Sequence, residues 1–309
     1  MVSARSPTTT SLWSDGREPG EAEDELDHGV SCSSGPRVPA DLDLSSIRRR
    51  LVGAPWHAID MCGRYASTTS RKTLLETFEI DPDRADPELA PDYNVAPTKT
   101  SPVVIARVPK DTDEPPHRQL RNLKWGLTPF WSKDPKIGAR MINARAETVH
   151  EKPAYRQCFK SRRGIIPVTG FYEWFPTHEL GKSGKPLKQP YFIHPAESDI
   201  LPLAGIFDFW RNPEVPDEDP DAWLVTFSVI TTEATDDVGH IHDRMPMSVA
   251  EENWADWLDP TNTDVDYARS LMAPPAPGSL ETYPVSKAVN NVRNNGADLV
   301  KPITVEEAH

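Results

Sequence analysis

At Met61-Cys62 the chain changes character. Residues 1–60 are rich in Ser, Pro, Gly, Asp, Glu and Arg and show no periodic apolar pattern. Such a stretch cannot bury enough apolar surface to offset the entropy of ordering it. From Cys62 onward, apolar runs of strand length recur between turn residues, so any fold has to be built from there. The expected organisation is a disordered extension at 1–61, a domain at 62–300 and a tail at 301–309. The extension reads either as sequence upstream of the true start, because Met61 immediately precedes the first foldable residue, or as a segment removed during maturation.

Ser70 is placed to cap a short helix over residues 71–80, with Leu74, Leu75 and Phe78 on one face. Strands are expected at 103–107 and 120–127, then helical material up to about 160, broken by Pro153. Residues 165–174 read as one buried strand that reaches the surface at Glu173. Three more β-branched and aromatic runs follow at 191–194, 203–210 and 223–231. The stretch 110–116 reads as a charged turn and 182–189 as a polar hairpin loop. Short helices are expected at 253–258 and 265–272, and the last thirty residues read as loop and tail. Strands dominate and the helices are short. That pattern predicts an α+β fold: a curved, mainly antiparallel, barrel-like sheet core with short peripheral helices.

Charge is uneven. The chain carries 34 Lys+Arg and 47 Asp+Glu, a net −13, which by itself argues against a nucleic-acid partner. Between Arg121 and Arg163, however, eleven Lys/Arg face three acids, Asp134, Glu147 and Glu151, a local excess of +8. One anion-facing patch on an acidic protein is expected. The three cysteines, Cys32, Cys62 and Cys158, are widely spaced, with no C-x-x-C pair. This pattern argues against a zinc site or a disulfide framework and for a reducing compartment. No 18-residue apolar run and no signal-peptide core occur, so the expected location is cytoplasmic with no membrane partner.

Cys62 next to Met61 carries a chemical possibility that no internal cysteine has. If Met61 is absent, Cys62 presents both a thiol and an α-amine. An α-amine with a pKa of about 7.7–8.0 is roughly a quarter neutral near pH 7.4, against about 0.1% for a lysine. The neutral amine can attack an aldehyde to form an imine, and the thiol two carbons away can close a thiazolidine ring. The plainer reading of Cys62 is a small buried hydrophobe. Asn143 reads as a turn residue or as a hydrogen-bonding clamp on the amine or thiol. Glu173 lies between Tyr172 and Trp174. It reads as an edge charge facing water or as a desolvated general acid–base with a raised pKa. His242 reads as a solvated loop histidine or as a proton shuttle, with His240 a weaker competitor.

Six stretches occur in order: Met61-Cys62-Gly63-Arg64-Tyr65, Tyr93-Asn94-Val95-Ala96-Pro97-Thr98, Lys124-Trp125-Gly126-Leu127-Thr128-Pro129, Ile142-Asn143-Ala144-Arg145-Ala146-Glu147-Thr148, Gly170-Phe171-Tyr172-Glu173-Trp174 and His242-Asp243-Arg244-Met245-Pro246. Together they resemble the SOS response-associated peptidase (SRAP) family of abasic-site processing proteins, over about residues 62–300. The resemblance implies binding to single-stranded DNA at an abasic site and self-linkage through Cys62 as a thiazolidine. It assigns Cys62, Asn143, Glu173 and His242 to the active site, and Arg64, Arg145 and Arg244 to the DNA backbone. Pro97 and Trp131 fall, more loosely, in base-contacting regions. No metal or cofactor is implied, and a monomer is expected. The departure from the family pattern is the extension before Met61. Two other readings remain open: a thiol autopeptidase cleaving before Cys62, and a single-strand-binding module with no covalent chemistry.

Overall fold

The computed structural model describes residues 62–304 apart from 110–112, 220–221 and 240. The extension 1–61, Cys32, His240, part of the charged turn and most of the 301–309 tail lie outside the described residues.

In chain order the elements are β1 (Tyr65–Ser67), α1 (Arg71–Thr77), β2 (Asp92–Val95), β3 (Thr100–Arg107), β4 (His117–Trp125), β5 (Asn143–Arg145), α2 (Arg156–Ser161), β6 (Arg163–Val168), β7 (Gly170–Leu180), β8 (Pro186–Pro195), β9 (Leu201–Arg211), β10 (Trp223–Glu233), α3 (Asp236–Gly239), β11 (Arg244–Pro246), β12 (Ser248–Val249), α4 (Trp254–Leu258), α5 (Val265–Ser270), β13 (Met272–Ala273) and β14 (Leu280–Pro284). Five of them close into a barrel, in the order β10-β4-β3-β6-β9 and back to β10. All pairs in it are antiparallel except β10 with β4. A second sheet runs β14-β8-β7-β1-β2. The fold is α+β with a barrel-like core, as the strand pattern predicted. No described helix is long and apolar enough to cross a membrane.

The continuous apolar run of β3 has a simple cause. Successive strand residues point to opposite faces. Val103 and Ile105 enter one buried cluster, with Trp125, Phe171, Phe227 and Cys62. Val104 and Ala106 enter another, with Phe78 just past the end of α1 and with Phe159, Trp254 and Trp257 on α2 and α4. Both faces of the barrel wall are therefore covered. Burying a side chain such as Phe171 or Phe227 contributes about 1.5–3 kcal/mol. Ser70 caps α1 through its side chain, which accepts the Thr73 N–H, and the helix ends at Thr77, earlier than expected.

Three expectations are corrected. Residues 165–174 are not one strand: β6 belongs to the barrel and β7 to the second sheet, with the chain changing sheets at Thr169. Gly170 permits the crossing, because a Cβ there would meet Ile193 O at 2.6 Å. β7 runs on to Leu180, so Glu173 lies within it, 1% exposed, and does not reach the surface. The helical material before 160 reduces to turns followed by α2. Finally, the last thirty residues supply β14, which pairs with β8, and two 3-10 turns at Lys287–Asn290 and Ala297–Val300.

Candidate active site

The pairing of β1 with β7 sets the centre. Tyr65 opposes Phe171 and Ala66 opposes Gly170 in antiparallel register, and Tyr172 N–H donates to Arg64 O at 2.9 Å. Continuing that register backwards along the chain sets Gly63 opposite Glu173, and Cys62, one residue further, comes within reach of the Glu173 side chain. The Cys62 N–H donates to Glu173 Oε1 at 2.8 Å, in a buried setting. Cys62 is 1% exposed. Its backbone lies at φ +35°, a left-handed conformation that is uncommon for a residue with a Cβ.

Asn143 arrives from a different direction. β5 runs parallel to β10, with Asn143 opposite Val229. Its backbone is held by two side-chain donors: Trp125 Nε1 to Ile142 O at 2.9 Å and the Tyr155 hydroxyl to Asn143 O at 3.2 Å. From there Asn143 Nδ2 donates to Cys62 O at 3.4 Å. Cys62 is thus gripped at its nitrogen by Glu173 and at its carbonyl by Asn143. Burial, reinforced by the Glu173 charge, pushes the Cys62 thiol well above its ordinary value. The thiol is protonated at neutral pH, so the position offers no resident thiolate.

His242 follows α3. Its Nδ1 accepts the Arg244 N–H at 3.1 Å and lies 3.1 Å from Asp243 Oδ1. Val238, Ile241 and Met245, which flank His242, enter the same buried cluster as Cys62. The loop of His242 is therefore anchored on the core that holds the cysteine.

The five candidate DNA contacts divide sharply. Trp131 is 52% exposed, beside Phe130 at 58%. Arg145 is exposed, and Pro97 is half-buried in the turn between β2 and β3. Arg64 and Arg244 are committed internally. Arg64 donates to Asn94 Oδ1 at 2.7 Å and to Val289 O at 2.9 Å, and lies over the Trp174 ring at 5.6 Å. Arg244 forms a two-pronged bond to Glu147, at 2.7 and 3.0 Å, and donates to Thr231 O at 2.7 Å. The Arg244 guanidinium holds the Glu147 carboxyl below its usual value, against the opposing effect of burial.

The SOS response associated peptidase (SRAP) family model matches residues 61–292. The chain belongs to the SRAP family. Among its relatives, it is 38% identical over 241 residues to the abasic site processing protein YoqW of Bacillus subtilis, covering 78% of this chain and 99% of that one. It is 32% identical over 277 residues to the abasic site processing protein HMCES of Gallus gallus, covering 79% and 78%. A solved structure from Bacteroides thetaiotaomicron superposes with a TM-score of 0.63 at 24% identity, covering 79% of this chain and all of that one, which shows a shared fold.

Three residues that individual sequence readings passed over support this SRAP centre. Asn94 is fully buried, and its Nδ2 faces the carbonyls of Val289, Asn291 and Asn294 at 3.0–3.2 Å. It ties the C-terminal segment to Arg64. Trp174 stacks on Arg64, and its Nε1 donates to Asn290 Oδ1 at 2.7 Å. Tyr155 holds Asn143. Asn94 and Trp174 lie inside the quoted motifs, so their signal was present. Tyr155 lies outside them and had none.

Proposed function

We propose that this chain processes abasic sites in DNA, and that it does so by linking itself covalently to the open-chain deoxyribose through Cys62. The observation that carries the reading is the 2.8 Å bond between the Cys62 nitrogen and the buried Glu173 carboxylate. A general base must stand within hydrogen-bond reach of the proton it moves. With Met61 removed, that nitrogen is an α-amine, and a residue with no predecessor has no φ to hold in the left-handed region.

Glu173 takes a proton from the ammonium form, and the neutral amine attacks the C1′ aldehyde, its nitrogen passing one proton to the carbonyl oxygen. The resulting carbinolamine loses water, with Glu173 returning its proton to the departing oxygen, and leaves an imine. The Cys62 sulfur then bonds to C1′. The C=N electron pair moves to nitrogen, which takes the thiol proton. The sum is aldehyde plus aminothiol giving thiazolidine plus water. A protonated thiol suits the last step, because its proton has to end on nitrogen. Asn143 fixes the Cys62 carbonyl and with it the approach geometry, and His242 assists as acid or base. The basic segment around Arg145 draws in the phosphates, and exposed Phe130 and Trp131 offer faces for base stacking. A single strand is the favoured substrate, since it has no pairing to break.

The same hydrogen bond also favours a maturation step. In hydrolysis of the 61–62 peptide bond the Cys62 nitrogen is the leaving group, and a protonated Glu173 stands where it could donate to it. On this reading the chain cleaves itself once, consuming one water. Mass spectrometry of the purified full chain tests this; a terminus still at Met1 refutes self-cleavage.

For the main reading, protein beginning at Met61 is incubated with a single strand carrying a uracil-excised site and run on a denaturing gel. A shifted, heat-stable band is expected. Its absence refutes covalent attachment and leaves a binding module.

A further inference from the structure

Glu173 is not the only buried carboxylate. Asp208, in the middle of β9, is also 1% exposed. A carboxylate in a barrel wall is costly unless it is paired and hydrogen-bonded. Asp208 is both. Arg162 Nη2 lies 3.3 Å from Oδ1, which also accepts the Phe209 N–H at 2.9 Å. The remaining oxygen, Oδ2, accepts the Phe130 N–H at 3.0 Å.

That last bond is one of a series. Gly126 N–H donates to Phe227 O at 2.8 Å, and Thr128 N–H donates to Thr226 Oγ1 at 2.8 Å. Trp210 Nε1 donates to Ser132 O at 2.7 Å. Every second residue from 126 to 132 is therefore stitched to the β9–β10 hairpin. Asp208 opposes Thr226 in that hairpin, and Trp210 is two residues along β9. Strand periodicity puts the three side chains on one face. Gly126, at φ +116°, lets the chain turn onto that face, since a Cβ there would meet Gly138 O at 2.5 Å. What the stitched loop presents outward is the pair Phe130 and Trp131.

We propose that Asp208, with Thr226 and Trp210, is a positioning clamp that holds Phe130 and Trp131 as a preformed stacking platform for the bases beside the abasic nucleotide. This rests on the DNA reading above. A charged acceptor makes a stronger hydrogen bond to an amide than a neutral one does. A loop fixed in advance does not have to be ordered when the strand binds. Asp208 itself touches no base and acts through the loop.

The test is equilibrium binding of the full chain to a labelled single strand carrying a tetrahydrofuran abasic analogue. The analogue has no aldehyde, so binding is read without the covalent step. Trp131→Ala should weaken binding about tenfold, within the range of one lost base stack. Asp208→Ala and Trp210→Phe should each weaken it about three- to tenfold. Asp208→Asn should lose less than Asp208→Ala, because its amide oxygen can still accept the Phe130 N–H although its NH2 then faces the Phe209 N–H and Arg162. In a Trp131→Ala background, Asp208→Ala should add less than about twofold. The slope of log affinity against log salt should not change, since no phosphate contact is lost.

Wild-type binding by Asp208→Ala and Trp210→Phe, alongside a loss in Trp131→Ala, overturns the clamp and leaves the DNA reading standing. No loss in Trp131→Ala removes the loop from the DNA surface, and the clamp with it. A reduced salt slope, or full additivity with Trp131→Ala, shows a general disturbance and also overturns the clamp. If Asp208→Ala does not fold, Trp210→Phe, which removes the Nε1–H donor and part of the indole ring while keeping an aromatic side chain, decides the matter.

Discussion

Two cysteines are buried to the same extent, 1% exposed, in two different cores. Cys62 packs in the cluster under the second sheet. Cys158 packs in the cluster under the helices, on α2. Burial raises both thiols, that of Cys158 to about 12 with a further push from Asp208, partly offset by Arg162. Neither is a thiolate at neutral pH, so thiol acidity does not tell them apart. Their nitrogens do. The Cys62 nitrogen faces a buried carboxylate at 2.8 Å, whereas that of Cys158 is a peptide nitrogen within a helix and can never become a terminal amine. The comparison teaches that what sets Cys62 apart from Cys158 is the setting of its backbone nitrogen and not the state of its sulfur, which is the distinction the proposed chemistry uses.

The sharpest way to break that contrast is substitution. Cys62→Ala should abolish the heat-stable DNA band, while Cys158→Ala should leave its yield within about twofold; the reverse pattern on the gel would overturn the assignment. Next in size is the base. Glu173→Gln keeps the shape and removes the proton acceptor, and the rate of band formation should fall about 10²–10⁴-fold. Asn143→Ala loosens the hold on the Cys62 carbonyl and should slow the same rate about 10- to 100-fold. If both of these variants react at the wild-type rate, the grip on Cys62 has no part in the chemistry.

Two smaller effects sharpen the structural side. Cys158→Ala leaves a small void in the helical core and should cost about 1 kcal/mol, read as a drop in thermal midpoint of about 2–4 °C. Glu147→Gln removes the fork on Arg244. The folded-state pKa of Glu147 is lowered, so its contribution is present above the ordinary value of 4.5 and is lost as pH falls through the lowered value. The Glu147 side chain is 45% exposed, and screening holds the effect to about 0.2–1 kcal/mol. Denaturant melts should show a small deficit at pH 7 that disappears as pH falls below the lowered folded-state value. A deficit that grows on acidification would contradict the sign.

Much of the architecture was legible because it is local. The Ser70 cap, the apolar runs of β3, β9 and β10, and the short helices follow from neighbouring residues. The strand change at Thr169 was not legible. A run such as 165–174 is apolar whether it stays in one sheet or crosses between two, and only Gly170, tight against Ile193, marks the crossing. Glu173 was misplaced for the same reason: a carboxylate after an apolar run looks like a strand end. The ordinary-looking tail was missed because Val289, Asn291 and Asn294 bind through their carbonyls, and every residue has one of those.

The sequence by itself determined the fold class, the order of the motifs and the residue types available at the centre, because periodicity and chemical identity are properties of the residues. Only the tertiary structure decided which of them meet. The β1–β7 pairing brings Cys62 within reach of the Glu173 side chain, β5 brings Asn143 across from a parallel pairing, and Arg64 and Arg244 bond within the fold to Val289 and Glu147. Those outcomes depend on contacts between residues 80 to more than 200 positions apart, and no local pattern encodes them.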